Sequence, residues 1–513
     1  MLRATAATAM VLVLALHALR CAADTQEVAE VAERTIVQPL DHFATNPSKY
    51  ILPQTYMVLG QYYRPGGPVL LYSVGERAIQ ASDLNSSWIA ELAKQTHGMA
   101  ILLEQRFYGD SIPQADTFDI AGQENLRFLT IEQMMADIRR FVRTTDIRDF
   151  TTQKLGNKDL AELSWVLVGG SFAGSLMAWT KYRYPNLNAF VLASSAPMRL
   201  TDEYWQFDSV IAQRLPCAKL LSQAIRRIDQ ILDSADMQRI TELKRKFGLE
   251  SIESSEAFAE ALTIQLPSLM QAPFTRSVGE QISEFCYRLE QPPLLHLSAS
   301  SNDTGTLDNL ALITREYSQH HRLIHTGASC PEGDDLGWLW QQCTELGLWQ
   351  TAPPDQGNLQ WFEKRLRSRR LTAAHFQAQC QVCFADEARM ENGNLAANRK
   401  EQFLMFAEEA LFAYTTNVGN LSGSSLFTAG ELDPWQHLFI SGSGDIDIDG
   451  NNGGSKLVSL ANKLVIKGAS HAEDLRGFSE EDSADEQSQI SRTHLHIEET
   501  IERWIQMRDT GFS

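Results

Sequence analysis

The chain is predicted to be an α/β protein, with a mostly parallel sheet covered on both faces and interrupted by a long helical insertion. Three observations predict this. Short apolar runs alternate with helix-period segments up to about residue 200, the signature of strands buried on both faces by crossover helices. From there to roughly residue 400 the pattern is helical, and six of the seven cysteines lie inside that stretch. Near Ser424 the strand rhythm resumes. No internal repeat is visible.

The elements follow in order. Arg3 precedes an apolar run from Ala9 to Leu16, and Cys21-Ala22-Ala23 supplies small residues at cleavage positions. Residues 1–23 therefore read as a secretory signal cut before Asp24. The run is too short to span a bilayer, and no later stretch is long and apolar enough. The mature chain is expected to be soluble, off the membrane and in the secretory pathway, ending in a lysosome- or vacuole-like compartment or outside the cell. Residues 24–200 form the first part of the α/β domain, beginning with an extended arm over 24–50 that ends in Gln38-Pro39-Leu40-Asp41-His42-Phe43. Tyr56 to Tyr63 alternates and reads as a strand. Gly67-Pro68 starts a second, Val69 to Val74, which ends at Gly75-Glu76. Trp88–Gln95 is helical in period, and Met99–Leu103 is a buried strand running into Glu104-Gln105-Arg106-Phe107-Tyr108-Gly109. A helix is expected over 131–146, and Ala189–Ala193 is the next strand, closed by Ser194-Ser195-Ala196-Pro197. Residues 201–402 are the cap insertion and 403–513 the second part of the α/β domain. Asp445-Ile446-Asp447-Ile448-Asp449-Gly450 resembles the start of a calcium loop, but Lys456 stands at the twelfth position, where a bidentate glutamate is needed. It reads as a solvated surface loop. Residues 479–489 read as an exposed acidic link to a last helix, Ile490–Met507.

Composition narrows the function classes. A chain of 513 residues with 43% hydrophobic residues can build a sizeable core, as one large domain with an insertion or as two or three domains. A net charge of −19 leaves no basic face for phosphates and argues against a nucleic-acid partner. Once Cys21 leaves with the signal, Cys217, Cys286, Cys330, Cys343, Cys380 and Cys383 remain. An even count in an oxidising compartment points to disulfides, with fifteen possible pairings. Cys380-x-x-Cys383 has no second pair or histidines at zinc spacing, so no metal or cofactor is expected. Asn85, Asn302 and Asn420 head glycosylation sequons, whereas Asn46 is excluded by Pro47. A homodimer is left open.

The chemistry centres on residues 161–185. Trp165-Val166-Leu167-Val168 is a strand, Gly169 and Gly170 break it, Ser171 sits at the bend, and a helical pattern runs from Leu176 until Pro185 stops it. A serine among glycines is often only a turn. Between a strand and a helix it has the context of a nucleophile elbow, where tiny neighbours are required, and Gly169, Gly170, Ala173 and Gly174 supply them. Ala173 stands where the G-x-S-x-G pattern has its last glycine. The helix N-terminus would face the developing oxyanion. In an α/β-hydrolase the acid and histidine follow the serine on loops after later strands. Ser425–Thr428 is a strand leading to Asp433, and Lys463–Ile466 a strand leading to His471. Alone, Asp433 is a turn aspartate before proline and His471 a helix-start residue. Together, in this order behind the elbow, they complete a triad with Ser171. The N–H of Phe172 and a donor at Gly75 are the expected oxyanion hole, with the Tyr108 hydroxyl a further candidate.

These residues resemble a known family, the serine exopeptidases that include lysosomal Pro-X carboxypeptidase, lysosomal dipeptidyl peptidase and thymus-specific serine protease. The resemblance spans nearly the whole mature chain. It rests on Gln38–Phe43, Glu104–Gly109, Gly169-Gly170-Ser171-Phe172-Ala173-Gly174, Trp340-Gln341-Gln342-Cys343-Thr344-Glu345, Leu432-Asp433-Pro434-Trp435 and Gly468-Ala469-Ser470-His471. The Trp340–Glu345 block and Thr180–Asn186 look most like the thymus-specific branch. The resemblance implies an α/β-hydrolase fold with a large inserted, disulfide-stapled helical cap domain that narrows the cleft, and catalysis by Ser171, Asp433 and His471. Family members usually carry glycine at Arg77 and histidine at Gln105. The proline-cutting carboxypeptidase has a bulky residue where Ser175 stands. Trp435, which by resemblance walls a proline pocket, is retained.

The resulting expectation is a serine exopeptidase on short peptide substrates, cutting after proline or a small residue, with the carboxypeptidase mode favoured. Arg77 is the cation that a substrate carboxylate would need, and Glu76 the acid that a dipeptidyl peptidase would use for a substrate amine. An esterase, or a non-catalytic binding protein on the same fold, is the alternative. An esterase would normally show an apolar lid and a glycine-rich oxyanion motif, and neither is evident.

Overall fold

The computed structural model describes residues 31–85, 87–113, 123–151, 163–262, 270–272, 276–291, 302–320, 330–353, 365–389, 395–440, 445–446, 463–477 and 484–509. The expected signal segment and most of the Asp445–Lys456 loop lie outside them. Among the described residues nine strands form one sheet: β1 (Ala32–Pro39), β2 (Ile51–Leu59), β3 (Val69–Ser73), β4 (Met99–Leu103), β5 (Trp165–Gly170), β6 (Ala189–Ser194), β7 (Ser425–Gly430), β8 (Asp445–Ile446) and β9 (Lys463–Ile466). Their order is β1-β2-β4-β3-β5-β6-β7-β9-β8. The pairs β1/β2 and β2/β4 are antiparallel, and every later pair is parallel. This is the α/β-hydrolase arrangement.

Strand alternation sends side chains to two cores. Leu71, Ile101, Leu167 and Val191 face α2 (Ile131–Thr144) and α3 (Ser171–Arg183). Leu70, Leu102, Val166, Val168 and Leu192 face α1 (Trp88–Gln95) and the last helix, Ala484–Asp509. Residues 172–181 of α3 are all buried. Sheet lies on one side, and on the other is the helix Leu395–Thr416, whose Phe403 packs edge-on against Trp179 at 5.1 Å and whose Tyr414 hydroxyl donates to Ala178 O at 2.9 Å.

Three expectations need correction. The arm over 24–50 contains β1, paired with β2 from Ala32↔Val58 to Pro39↔Ile51, and β2 begins at Ile51 rather than Tyr56. The acidic link is partly helix, because the last helix starts at Ala484. Residue 445, placed in a surface loop, opens the two-residue edge strand β8.

Between β6 and β7 the regular elements among the described residues are all helices, apart from an isolated bridge joining Thr201 and Gly347. Three disulfides staple this region: Cys217–Cys286, Cys330–Cys383 and Cys343–Cys380. Cys380 and Cys383 therefore go to different partners. Buried ion pairs join Arg367 to Asp208 at 2.7 Å and Arg365 to Asp229 at 3.0 Å. The Trp340–Glu345 block docks the insertion on the sheet domain. The indole of Trp340 donates to Leu129 O at 3.1 Å, and Glu345, pushed up to about 7 by burial, accepts the Ile131 N–H that opens α2.

Two other motifs prove architectural. Arg106, fully buried, donates to Asp137 at 2.6 and 2.8 Å and to the carbonyls of Pro39, Leu40 and Phe128. His42 bonds the same carboxylate at 2.7 Å, and Gln38 reaches Asp137 O. Burial pushes the Asp137 carboxyl up, but Arg106 and His42 outweigh it and hold it below the ordinary 3.8. The stability it contributes is thus present above pH 3.8 and lost as pH falls through its lower folded value. Asp137→Ala leaves a buried guanidinium without its counter-ion and should cost about 3–5 kcal/mol in urea unfolding. A loss below about 1 kcal/mol, the range of exposed pairs, would contradict this account.

Candidate active site

Ser171 lies where β5 becomes α3, with φ of +54°, a left-handed conformation that costs a residue with a Cβ. Close packing explains its small neighbours. A Cβ on Gly169 would meet Ala173 C at 2.4 Å, and one on Gly174 would meet Gly169 O at 2.8 Å. One on Gly170 would meet Ala472 Cβ and Leu475 Cδ1 at 3.2 Å, so the elbow abuts the loop that carries His471.

That loop and the Asp433 loop are laced together. Glu431 N–H donates to Ile466 O and Leu432 N–H to Ala469 O, each at 2.9 Å. A Cβ on Gly430 would meet Ser470 O at 2.1 Å, so glycine is what permits the approach. Asp433 is fully buried and accepts from His471 Nδ1 at 2.8 Å and from Trp435 N–H at 2.9 Å. With Nδ1 engaged by a carboxylate, His471 keeps Nε2 for a reacting oxygen. Ala472 N–H donates to Ser195 Oγ at 2.9 Å, fixing the histidine loop to the end of β6. Beneath it Asp474 accepts from Ser194 at 2.5 Å and Thr428 at 2.6 Å. Burial alone would push the His471 imidazole down. The charge and hydrogen bond of Asp433, with Glu76 and Asp474, outweigh it and raise its pKa above 6.5.

The remaining expected site residues divide. Phe172 is buried in the first turn of α3, where the N–H groups have no partner within the helix. Gly75 takes φ of +95° after β3, and its N–H donates a long hydrogen bond to Ser73 Oγ at 3.4 Å. Glu76 is half-buried and within electrostatic reach of both His471 and Tyr108; burial raises its pKa against the pull of its own N–H, His471 and Arg77. Trp435 stacks on Tyr204 at 5.2 Å and meets Phe207 edge-on, while its indole donates to Gln271 at 2.8 Å.

Three expected residues are placed otherwise. Arg77 points outward and grips Asp83 with two hydrogen bonds, 2.6 and 3.0 Å, so its charge is spent there. Ser175 is fully buried and donates to Pro197 O at 3.1 Å, because one turn into α3 the chain is already under the β6 loop. The buried Tyr108 hydroxyl donates to Gln341 Oε1, so its single proton is engaged. Asn85 is exposed at the end of a short helix, and Asn302 and Asn420 lie in helical segments. Motif reading did not find Glu104, Asp334 or Asp474 as site-supporting residues. Glu104 had a signal, its place at a strand end.

Among the described residues no helix is long and apolar enough to cross a membrane. The model of the family described as serine carboxypeptidase S28 matches residues 38–490. Serine protease vicPb of Bipolaris victoriae (strain FI3) is 25% identical, over 85% of this chain and 83% of its own. Lysosomal Pro-X carboxypeptidase of Bos taurus is 32% identical over 36% of this chain and 33% of its own. Thymus-specific serine protease of Mus musculus is 26% identical over 61% and 64%. With the family match running from the Gln38 motif past the His471 loop, the chain belongs to the serine carboxypeptidase S28 family of serine peptidases.

Proposed function

We propose that the chain is a serine exopeptidase of short peptides that cuts after proline or a small residue through Ser171, His471 and Asp433, with removal of a C-terminal residue as the leading mode. The observation that carries this is the left-handed Ser171 turn packed against the loop that holds the His471–Asp433 pair. Ser171 Oγ adds to the scissile carbonyl as its proton passes to His471 Nε2. The tetrahedral oxyanion is received by the Phe172 N–H and a donor from the loop after β3. His471 then protonates the leaving amine, and water, deprotonated by the same imidazole, hydrolyses the acyl-enzyme and restores Ser171. Trp435, half-buried and backed by the fully buried Tyr204 and Phe207, supplies flat apolar surface suited to a proline ring.

Relatives named Pro-X carboxypeptidase and extracellular serine carboxypeptidase support the C-terminal mode and a secretory location, lysosomal or extracellular. One observation favours the dipeptidyl peptidase mode: Glu76 lies within electrostatic reach of His471, while Arg77 is turned to Asp83. X-Pro-Y peptides blocked at either end, incubated with the protein and with its Ser171→Ala variant, decide by mass spectrometry. Loss of one C-terminal residue, prevented by amidation, is the expected result. Release of an N-terminal dipeptide, prevented by acetylation, would establish the second mode. Absence of any Ser171-dependent cleavage would reject a peptidase.

A further inference from the structure

The segment Asp334–Leu346 of the insertion touches both sides of the proposed oxyanion site. On one side the Asp334 carboxylate accepts Ala78 N–H at 3.0 Å through Oδ2 and Gly109 N–H at 2.9 Å through Oδ1. These N–H groups belong to the loops after β3 and β4. Glu104 ties the same two loops to each other, accepting Ile79 N–H at 3.1 Å and Asp110 N–H at 3.0 Å. On the other side, one turn along the same helix, the Trp338 ring lies 5.5 Å from that of Phe172. Between them Gly337 faces the Tyr108 ring, where an added Cβ would sit 3.5 Å away, and Gln341 receives the Tyr108 hydroxyl. Cys330–Cys383 and Cys343–Cys380 fasten the segment on either side of Asp334 and Trp338.

We propose that Asp334 is a positioning residue for the reaction: from the cap it fixes the loop after β3 that supplies the second oxyanion donor, while Trp338 on the same helix backs Phe172, the first. This rests on the proposed Ser171 mechanism. Asp334 touches no substrate in this account and acts through the Ala78 and Gly109 amides. A carboxylate suits the task because its two acceptor oxygens can each take an N–H from a different loop. Without it, the loop that turns at Gly75 has lost its tether to the cap. Oxyanion donors are effective only when preorganised, and a displacement near 1 Å costs about 10²-fold in rate.

The test compares wild type, Asp334→Ala and Asp334→Asn for turnover of an X-Pro-Y peptide and for inhibition by a peptide aldehyde that forms a tetrahedral adduct on the serine. Asp334→Ala should lower kcat about 10²-fold while KM stays within about threefold. Aldehyde affinity should fall in proportion to kcat/KM, as for any transition-state mimic. Asp334→Asn, with one acceptor oxygen and a similar shape, should lie between the two, and it carries the same readouts if the alanine variant does not fold. Unchanged kcat overturns the inference. So does a fall in kcat with undiminished aldehyde affinity, or a loss confined to KM. Wild-type turnover that survives Ser171→Ala would instead reject the mechanism itself, and this inference with it.

Discussion

Ser171→Ala is expected to lower kcat by about 10⁶-fold, the scale seen when a serine hydrolase loses its nucleophile, and to leave the melting temperature almost unchanged. The hydroxyl is removed, but Cβ stays in a turn at φ +54°. Ser171→Gly should be equally inactive and yet more stable. A residue with a Cβ in the left-handed region costs about 1–2 kcal/mol, part of which glycine returns to the greater freedom of its unfolded chain. A net gain of about 1 kcal/mol in chemical unfolding would show that the fold holds the nucleophile under strain. Equal stability of the glycine and alanine variants would show that the turn is relaxed, and residual activity in either would remove Ser171 from the mechanism.

Asp433→Asn should lower kcat by about 10⁴-fold and also move the acid limb of the pH profile. In the wild type, kcat/KM should fall as His471 protonates, with a midpoint above 6.5 because the imidazole's pKa is raised. Burial lowers that pKa, and the charge and hydrogen bond of Asp433 are the largest opposing influences. Removing them leaves burial opposed only by Glu76 and Asp474, so the residual activity of the variant should persist to lower pH. Arg77 acts on Glu76, and Arg214, which donates to Leu432 O, acts on Asp433 and Glu473; both cations remain in the variant. A limb that does not move would mean that Asp433 does not set the histidine's charge. Stability runs the other way. A raised histidine stabilises the fold below pH 6.5, and this contribution is lost as pH rises through the folded pKa. At this residue, activity and stability therefore favour opposite sides of the imidazole's folded pKa.

The parts of the fold that were legible in the sequence are those whose burial is two-sided. Met99–Leu103 is read to the residue, because a strand buried between helical layers is a short apolar run with sharp ends. β1 escaped because most of it is exposed or half-exposed, so Ala32–Pro39 carries no apolar signal. Pro53 hid the start of β2; it pairs with Val37 in a stretch that β4 does not reach, where a missing N–H is tolerated. In the candidate site, the strand-end positions of Ser171, Asp433 and His471 were legible because each follows a recognisable strand. Arg77 and Ser175 were misjudged because nearness along the chain does not say where a side chain points. Asp334 meets partners 256 and 225 residues away, and its acceptors are used by backbone amides that have no residue signature. The disulfide pairings were beyond reach for the same reason: spacing does not encode which helices of the insertion lie together.

The pairing of β6 with β7 also has a consequence in time. Val191 takes Ser425 as its partner, and Ser194 takes Thr428. Roughly 230 residues are made between the two strands, which at ribosomal rates of about 5–20 residues per second is some 10–50 s. Throughout that interval one edge of a half-finished sheet ends in β6, six residues that are all buried in the finished protein. An open apolar edge of this kind is a template for mispairing with other chains. The nascent protein thus has to be shielded until β7 arrives, and the stapled helices made in the meantime are the material nearest to hand.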